Sequence, residues 1–152
     1  MRKMSEYQSR NPAYVERIRE RIASPVVKDL FGMEEVSIAP GVIQLGIAVR
    51  HELGHAPGWF QGSVTTAIAE FACGFAAMSL IAPDWDMMTL DQTIKFIGPA
   101  RGERLVAKAR VIRPGRTITT CQCEVYAIEN GAERLCAVML QTNHQAPLAA
   151  KG

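Results

Sequence analysis

Apolar and polar positions follow two different periods along this chain, and the switches between them outline its elements. From about Pro12 to Leu30, Tyr14, Val15, Ile18, Ile22, Val26 and Val27 stand among charged residues at helical spacing. This predicts an amphipathic helix interrupted near Ser24-Pro25, because proline disfavours helix at the residue before it. Ile43, Leu45, Ile47 and Val49 then alternate with Gln44, Gly46, Ala48 and Arg50. A period of two marks a strand. After a loop rich in glycine and proline, Val64, Ile68, Phe71, Phe75, Met78 and Ile81 return to helical spacing. A long helix therefore starts near Gly62 or Ser63, and Pro83 ends it.

Four further strands are expected: Thr89–Ile97, Arg104–Arg113, Thr117–Ile128 and Ala132–Thr142. Pro114-Gly115 turns the chain between the second and third, and Asn130-Gly131 is a strong hairpin signal between the third and fourth. Helix, strand, long helix and a run of antiparallel strands make an α+β fold, with one central helix packed on one sheet. Ala67, Ala69, Ala72, Gly74, Ala76 and Ala77 would let a curved sheet approach that helix closely. Glycine inside a helix costs about 1 kcal/mol relative to alanine, so Gly74 points to tight packing.

A chain of 152 residues fits one domain and buries enough surface to fold without disulfides or a structural metal. The division expected is a helical extension over 1–30, the α+β domain over 31–145 and a tail over 146–152. Seventeen basic residues against fifteen acidic ones argue against a dedicated nucleic-acid binder. Residues 59–82 are long enough to span a bilayer, but Glu70 stands near the middle, where an acid costs about 3 kcal/mol. No membrane association is expected. Cys121 and Cys123 read as the inward side of a strand with Thr119, Val125 and Ala127, rather than as metal ligands. With no apolar leader among the first residues, a reducing cytoplasm is the expected location.

His51-Glu52-Leu53-Gly54-His55 matches the zinc-peptidase pattern H-E-x-x-H, with Gly58 extending it. That chemistry requires the two histidines one turn apart on a helix. Here the motif follows a strand, contains Gly54, and runs into Pro57-Gly58, where a helix would be disrupted. Gln61 holds the place of the third histidine. A zinc peptidase is the remote alternative, and no metal is expected.

Between Ala56 and Pro83 the single formally charged residue is Glu70. Its position on the helix is away from the apolar stripe, flanked by Ala67, Cys73, Gly74 and Ala77. Such an acid is either a functional group or a helix edge facing water. Upstream, Gln61-Gly62-Ser63 opens the helix, whose first N–H groups lack internal partners and suit a developing oxyanion. Gly62 serves equally well as a flexible cap.

These residues resemble the hotdog-fold acyl-CoA thioesterases of the phenylacetate-degradation type. That family's pattern is N-x-x-G-x-x-H-G-G, followed by an apolar helix carrying an aspartate. The corresponding run here is His55-Ala56-Pro57-Gly58-Trp59-Phe60-Gln61-Gly62-Ser63, with Glu70 at the acid position. The similarity extends through Thr89–Pro99 and the Arg113-Pro114-Gly115-Arg116 turn, over roughly residues 30–145. Three positions depart from the pattern: His55 for asparagine, Gln61 for histidine and Ser63 for the second glycine.

The resemblance implies thioester hydrolysis without a cofactor, with Glu70 as nucleophile or general base and the Gly62 N–H polarising the carbonyl. Gln61 or His55 would contact the carbonyl or the water, and Ser63 would lie against the substrate. It also implies an acyl-CoA substrate, pairing of subunits through their sheets, sites between protomers, and a homodimer or a tetramer of two dimers. Trp59 and Phe60 would line the acyl pocket, seal the interface or pack the core. The competing expectation is a non-catalytic acyl-CoA-binding module.

Charge adds one point. Residues 101–116 hold Arg101, Arg104, Lys108, Arg110, Arg113 and Arg116 against Glu103, a local +5, so the rest of the chain sums to −3. This is either a solvated strand face or a site for the phosphates of coenzyme A, with Arg113 and Arg116 as its contacts.

Overall fold

The computed structural model describes residues 6–149. The amphipathic segment forms helix α1 (Tyr14–Ile22), which buries Ile18 and Ile22 and turns most of its charges outward. The expected interruption occurs. Ser24 is extended, and Pro25 opens a short, wide π-helical segment, Pro25–Leu30.

The sheet has six antiparallel strands: β1 (Met33–Ala39), β2 (Val42–Ala48), β3 (Trp85–Phe96), β4 (Arg104–Arg113), β5 (Ile118–Glu129) and β6 (Ala132–Pro147). Their spatial order is β1-β2-β4-β5-β6-β3. Strand β1 is absent from the pattern-based expectation. Among its residues Met33 alone is fully buried, and a bulge between Glu35 and Ser37 breaks its alternation. Strand β6 runs past Thr142 to Pro147, because Gln141, Asn143 and Gln145 continue its buried face with polar residues. The Asn130-Gly131 turn forms as expected, both residues having positive φ (51° and 77°).

Helix α2 (Gly62–Met78) lies across the concave face. Ile43, Leu45, Ile47, Leu105, Ala107, Ala109, Cys121, Cys123, Val125 and Met139 meet it from the sheet, each at most 1% exposed. Ala69, Ala72, Ala76 and Ala77 are fully buried against them. Gly74 is not squeezed, however. A Cβ there would meet Met87 Cε at 3.8 Å and Sδ at 3.9 Å, ordinary contact distances. The small side chain leaves space beside Glu70 instead. The helix ends before Pro83: Ser79 Oγ donates to Ala76 O (2.7 Å) and accepts the Gly41 N–H (2.6 Å).

The cysteines are all buried and free. Cys121 and Cys123 lie on the inward face of β5 with Thr119, Val125 and Ala127. Burial pushes the Cys136 thiol up to about 11, and hydrogen bonding with Cys123, together with burial, pushes Cys73 well up. Cys73 and Cys136 are core thiols held in the neutral form. No helix among the described residues is long and apolar enough to cross a membrane.

Candidate active site

Helix α2 is buried almost all round. What stays open is a strip formed by Ser63, Thr66, Ala67, Glu70 and Phe71, spaced i, i+3, i+4, i+7 and i+8 along one side. Glu70 lies within this strip. It opens on a cavity of about 170 Å³ lined by Phe71, Phe75, Met78, Met87 and Thr89, with Arg21 of α1. Three members of the apolar stripe therefore border the acid, and it does not stand on the far side of the helix from them. Arg21 is held by Asp86 at 3.0 Å, so its charge is already countered.

Polar residues of β3 and β6 pin the acid from below. Thr89 Oγ1 donates to Glu70 Oε1 at 2.6 Å. Gln141 Nε2 donates to Thr89 Oγ1 (3.2 Å), to Asn143 Oδ1 (2.9 Å) and, more weakly, to the Glu70 carbonyl (3.4 Å). Asn143 Nδ2 in turn reaches Cys121 Sγ at 3.6 Å. The sequence reading missed Thr89, Gln141 and Asn143 as site residues. The signal was Gln141-x-Asn143-x-Gln145, a period of two in register with buried Met139.

At the start of α2, Gln61 is extended and its carbonyl accepts the N–H groups of Val64 (3.0 Å) and Thr65 (3.1 Å). The N–H groups of Gly62 and Ser63 have no acceptor among the described residues. They sit at the positive end of the helix dipole. A Cβ on Gly62 would meet only the Phe96 ring, at 3.5 Å. Packing within the protomer does not require glycine here.

The preceding loop is fixed by Gly54, where a Cβ would collide with the Trp59 carbonyl oxygen. His51–Leu53 make one short 3-10 turn and Gly54 is extended (φ −140°, ψ 167°). The two histidines of the peptidase-like motif are thus not a helical turn apart. The exposed His55 ring packs 5.9 Å from Trp59, and Arg101 lies 6.0 Å from the same indole. Trp59 is half-buried, whereas Phe60, at 2% exposure, is a core residue. Gln61 and Ser63 are both exposed beside Gly62.

Gly62 and Glu70 are eight residues apart on one unbroken helix. At 1.5 Å per residue they are separated by about 12 Å along its axis. One protomer cannot bring both to the same carbonyl.

The basic segment divides in two. Arg101 pairs with Glu129 (3.6 Å), Arg104 with Glu34 (2.7 Å) and Lys108 with Glu133 (2.6 Å), and Arg110 donates to Gln122 (3.1 Å). Arg113 and Arg116 are exposed, make no ion pair among the described residues, and line a cleft of about 390 Å³ with Gly115, Thr117, Ile118 and Thr120. Buried Gln145 braces this turn, its Nε2 donating to the carbonyls of Gly115 (2.6 Å) and Arg116 (3.1 Å).

The thioesterase superfamily model matches residues 60–134. A thioesterase family protein from Silicibacter pomeroyi is similar over 88% of this chain and 98% of its own, at 30% identity and a TM-score of 0.84. A thioesterase from Haemophilus influenzae matches at 23% identity, covering 90% of this chain and 92% of its own, with a TM-score of 0.78. The E. coli PaaI protein from the phenylacetic acid degradation operon shares the fold at 16% identity (91% and 96% covered, TM-score 0.76). No curated protein sequence matches the chain at a secure level.

Proposed function

Because the chain belongs to the thioesterase superfamily, we propose that it hydrolyses the thioester of a small or medium acyl- or aryl-CoA. The observation that carries this reading is the Glu70 carboxylate, half-buried and opening on a cavity with aromatic and methionine walls, large enough for a short acyl group.

The thioester carbonyl is bound by the free Gly62 N–H, which draws charge onto the oxygen as the tetrahedral centre forms. Glu70 either attacks the carbonyl carbon directly or takes a proton from the water that attacks it. As the centre collapses, the carbon–sulfur bond breaks and the coenzyme A thiolate leaves. In the first case water then cleaves the acyl–Glu70 anhydride; in the second the acid forms in one displacement. Gln61 and His55 are available to the carbonyl or the water, and Ser63 and Trp59 to the substrate near the helix entrance. Phe60 supports that entrance from the core. Arg113 and Arg116, without an ion pair among the described residues, bind the coenzyme A phosphates.

The 12 Å offset between Gly62 and Glu70 makes the functional unit a pair. An antiparallel approach of two α2 helices centred on Thr66 sets Gly62 of each protomer against the partner's Glu70. Thr66 and Ala67, small residues in the open strip, permit that approach. Strand β3 is an edge strand and exposes Met88, Leu90 and Phe96, a surface suited to joining two sheets. Two such pairs would make the tetramer.

Thiol release over a panel of acyl-CoAs tests the reading. Turnover of at least one short acyl- or aryl-CoA is expected, and Glu70→Gln should lower kcat by about 1,000-fold or more with the melting temperature unchanged. Binding without turnover would instead make the protein an acyl-CoA-binding module, and a fully active Glu70→Gln protein would remove Glu70 from the mechanism.

A further inference from the structure

We infer that Thr89 and Gln141 are positioning residues that fix the Glu70 carboxylate by its Oε1 oxygen, leaving Oε2 as the reacting atom. This rests on the role proposed for Glu70.

The direction of each hydrogen bond follows from its neighbour. Asn143 turns its Nδ2 toward Cys121 Sγ, so its Oδ1 faces Gln141 and requires a donor. Gln141 therefore presents Nε2 both to Asn143 Oδ1 (2.9 Å) and to Thr89 Oγ1 (3.2 Å). Having accepted from Gln141, the Thr89 hydroxyl directs its own single proton at Glu70 Oε1, 2.6 Å away. Donation thus diverges from Gln141, to Asn143 on one side and through Thr89 to Glu70 on the other. Each amide is fully buried, and the orientation leaves Gln141 Oε1 buried without a partner. A buried, unsatisfied acceptor costs about 1–3 kcal/mol. It is tolerated here because the opposite orientation would turn that oxygen on two other acceptors.

The backbone supports the same point. Thr89 pairs with Asn143 and Asp91 with Thr142, so Leu90 is the extra residue of a bulge immediately after Thr89. Bulges re-aim side chains beside active sites. Met87 and Thr89 both line the Glu70 cavity, whereas Leu90 points out, 54% exposed. Glu70 Oε2 has no hydrogen-bond partner among the described residues.

The test compares Thr89→Val, Thr89→Ser and Gln141→Met with the unaltered protein. Thr89→Val keeps the side-chain shape but removes the donor. Because a misplacement of about 1 Å costs up to about 100-fold, it should lower kcat roughly 10- to 100-fold with KM nearly unchanged. Thr89→Ser restores the hydroxyl and should recover most of kcat. Gln141→Met leaves Thr89 able to donate but no longer aims it, so its loss should be smaller than that of Thr89→Val. A carbon-13 spectrum of the glutamate carboxyl groups, with Glu70 assigned through Glu70→Gln, reads the positioning without turnover. The Glu70 resonance should move in Thr89→Val and return in Thr89→Ser. Full kcat in Thr89→Val, failure of Thr89→Ser to recover it, or an unmoved Glu70 resonance would each overturn the proposal. A resonance that moves in a protein cleaving no thioester would uphold the positioning and defeat the hydrolytic reading alone.

Discussion

Strand β1 closes the sheet on one side with two acids that are already paired, Glu34 with Arg104 at 2.7 Å and Glu35 with Arg19 at 2.8 Å. Its bulge after Glu35 bends it, and helix α1 packs over it. Strand β3 closes the other side over twelve residues, with Met88, Leu90 and Phe96 each more than half exposed and Ile97 just beyond. Edge strands invite pairing, and proteins blunt the edges they need to keep free with charge, bulges and cover. Here one edge carries all three devices. The other has one bulge, at Leu90, and carries exposed Asp91 and Lys95 among its exposed apolar residues. The difference, helix α1 over one edge and exposed Met88, Leu90 and Phe96 on the other, supports the proposal that β3 joins a second copy.

Placing charge on the open edge should have the larger effect. Leu90→Lys combined with Ile97→Lys would bury two unpaired cations in the joined sheet, where even one costs several kcal/mol. Sedimentation should show a monomer, and, on the proposed shared site, activity should fall by about 100-fold or more. A dimer of full activity would show that β3 is not the joining edge.

The blunted edge should respond much less. Glu35→Ala removes an exposed pair, and exposed pairs contribute little, so the melting temperature should change by no more than about 2 °C and kcat not at all. The Arg19 guanidinium holds the Glu35 carboxyl below its ordinary range. A carboxyl so lowered stabilises the fold at pH values above that range, and the contribution fades as the pH falls through it. The small difference between Glu35→Ala and the unaltered protein should therefore disappear in acid, which melting curves across pH would show.

The same contrast explains what the amino-acid pattern disclosed. The apolar alternation of the buried strands β2, β4 and β5 makes their bounds readable to within a residue or two. Glu70 stood out as the single charge on α2, but its side of the helix did not, because Phe71, Phe75 and Met78 of the apolar stripe border it. Strand β1 escaped because Glu34 and Glu35 interrupt its alternation for the sake of a charged edge. The positioning of Glu70 escaped because Gln141, Asn143 and Gln145 are polar residues on a buried face. Periodicity read from apolar residues alone ends the strand at Thr142, one residue past Gln141. Gly74 misled in the opposite sense: its lack of a side chain serves the cavity and not the sheet. The separation of Gly62 from Glu70 was countable in the sequence once an unbroken helix was granted, whereas which strands lie at the edges required the order of the strands.

The most direct test of a site shared between two copies is complementation. Gly62→Pro removes the oxyanion N–H at a helix position that accepts proline, and Glu70→Gln removes the acid. Each variant alone should be inactive. Co-expressed in equal amounts, half of the pairs should be mixed, and each mixed pair should carry one intact site. Thiol release should then return to roughly a quarter of the unaltered protein's rate. No recovery in a mixture shown to contain the mixed pair would contradict the account.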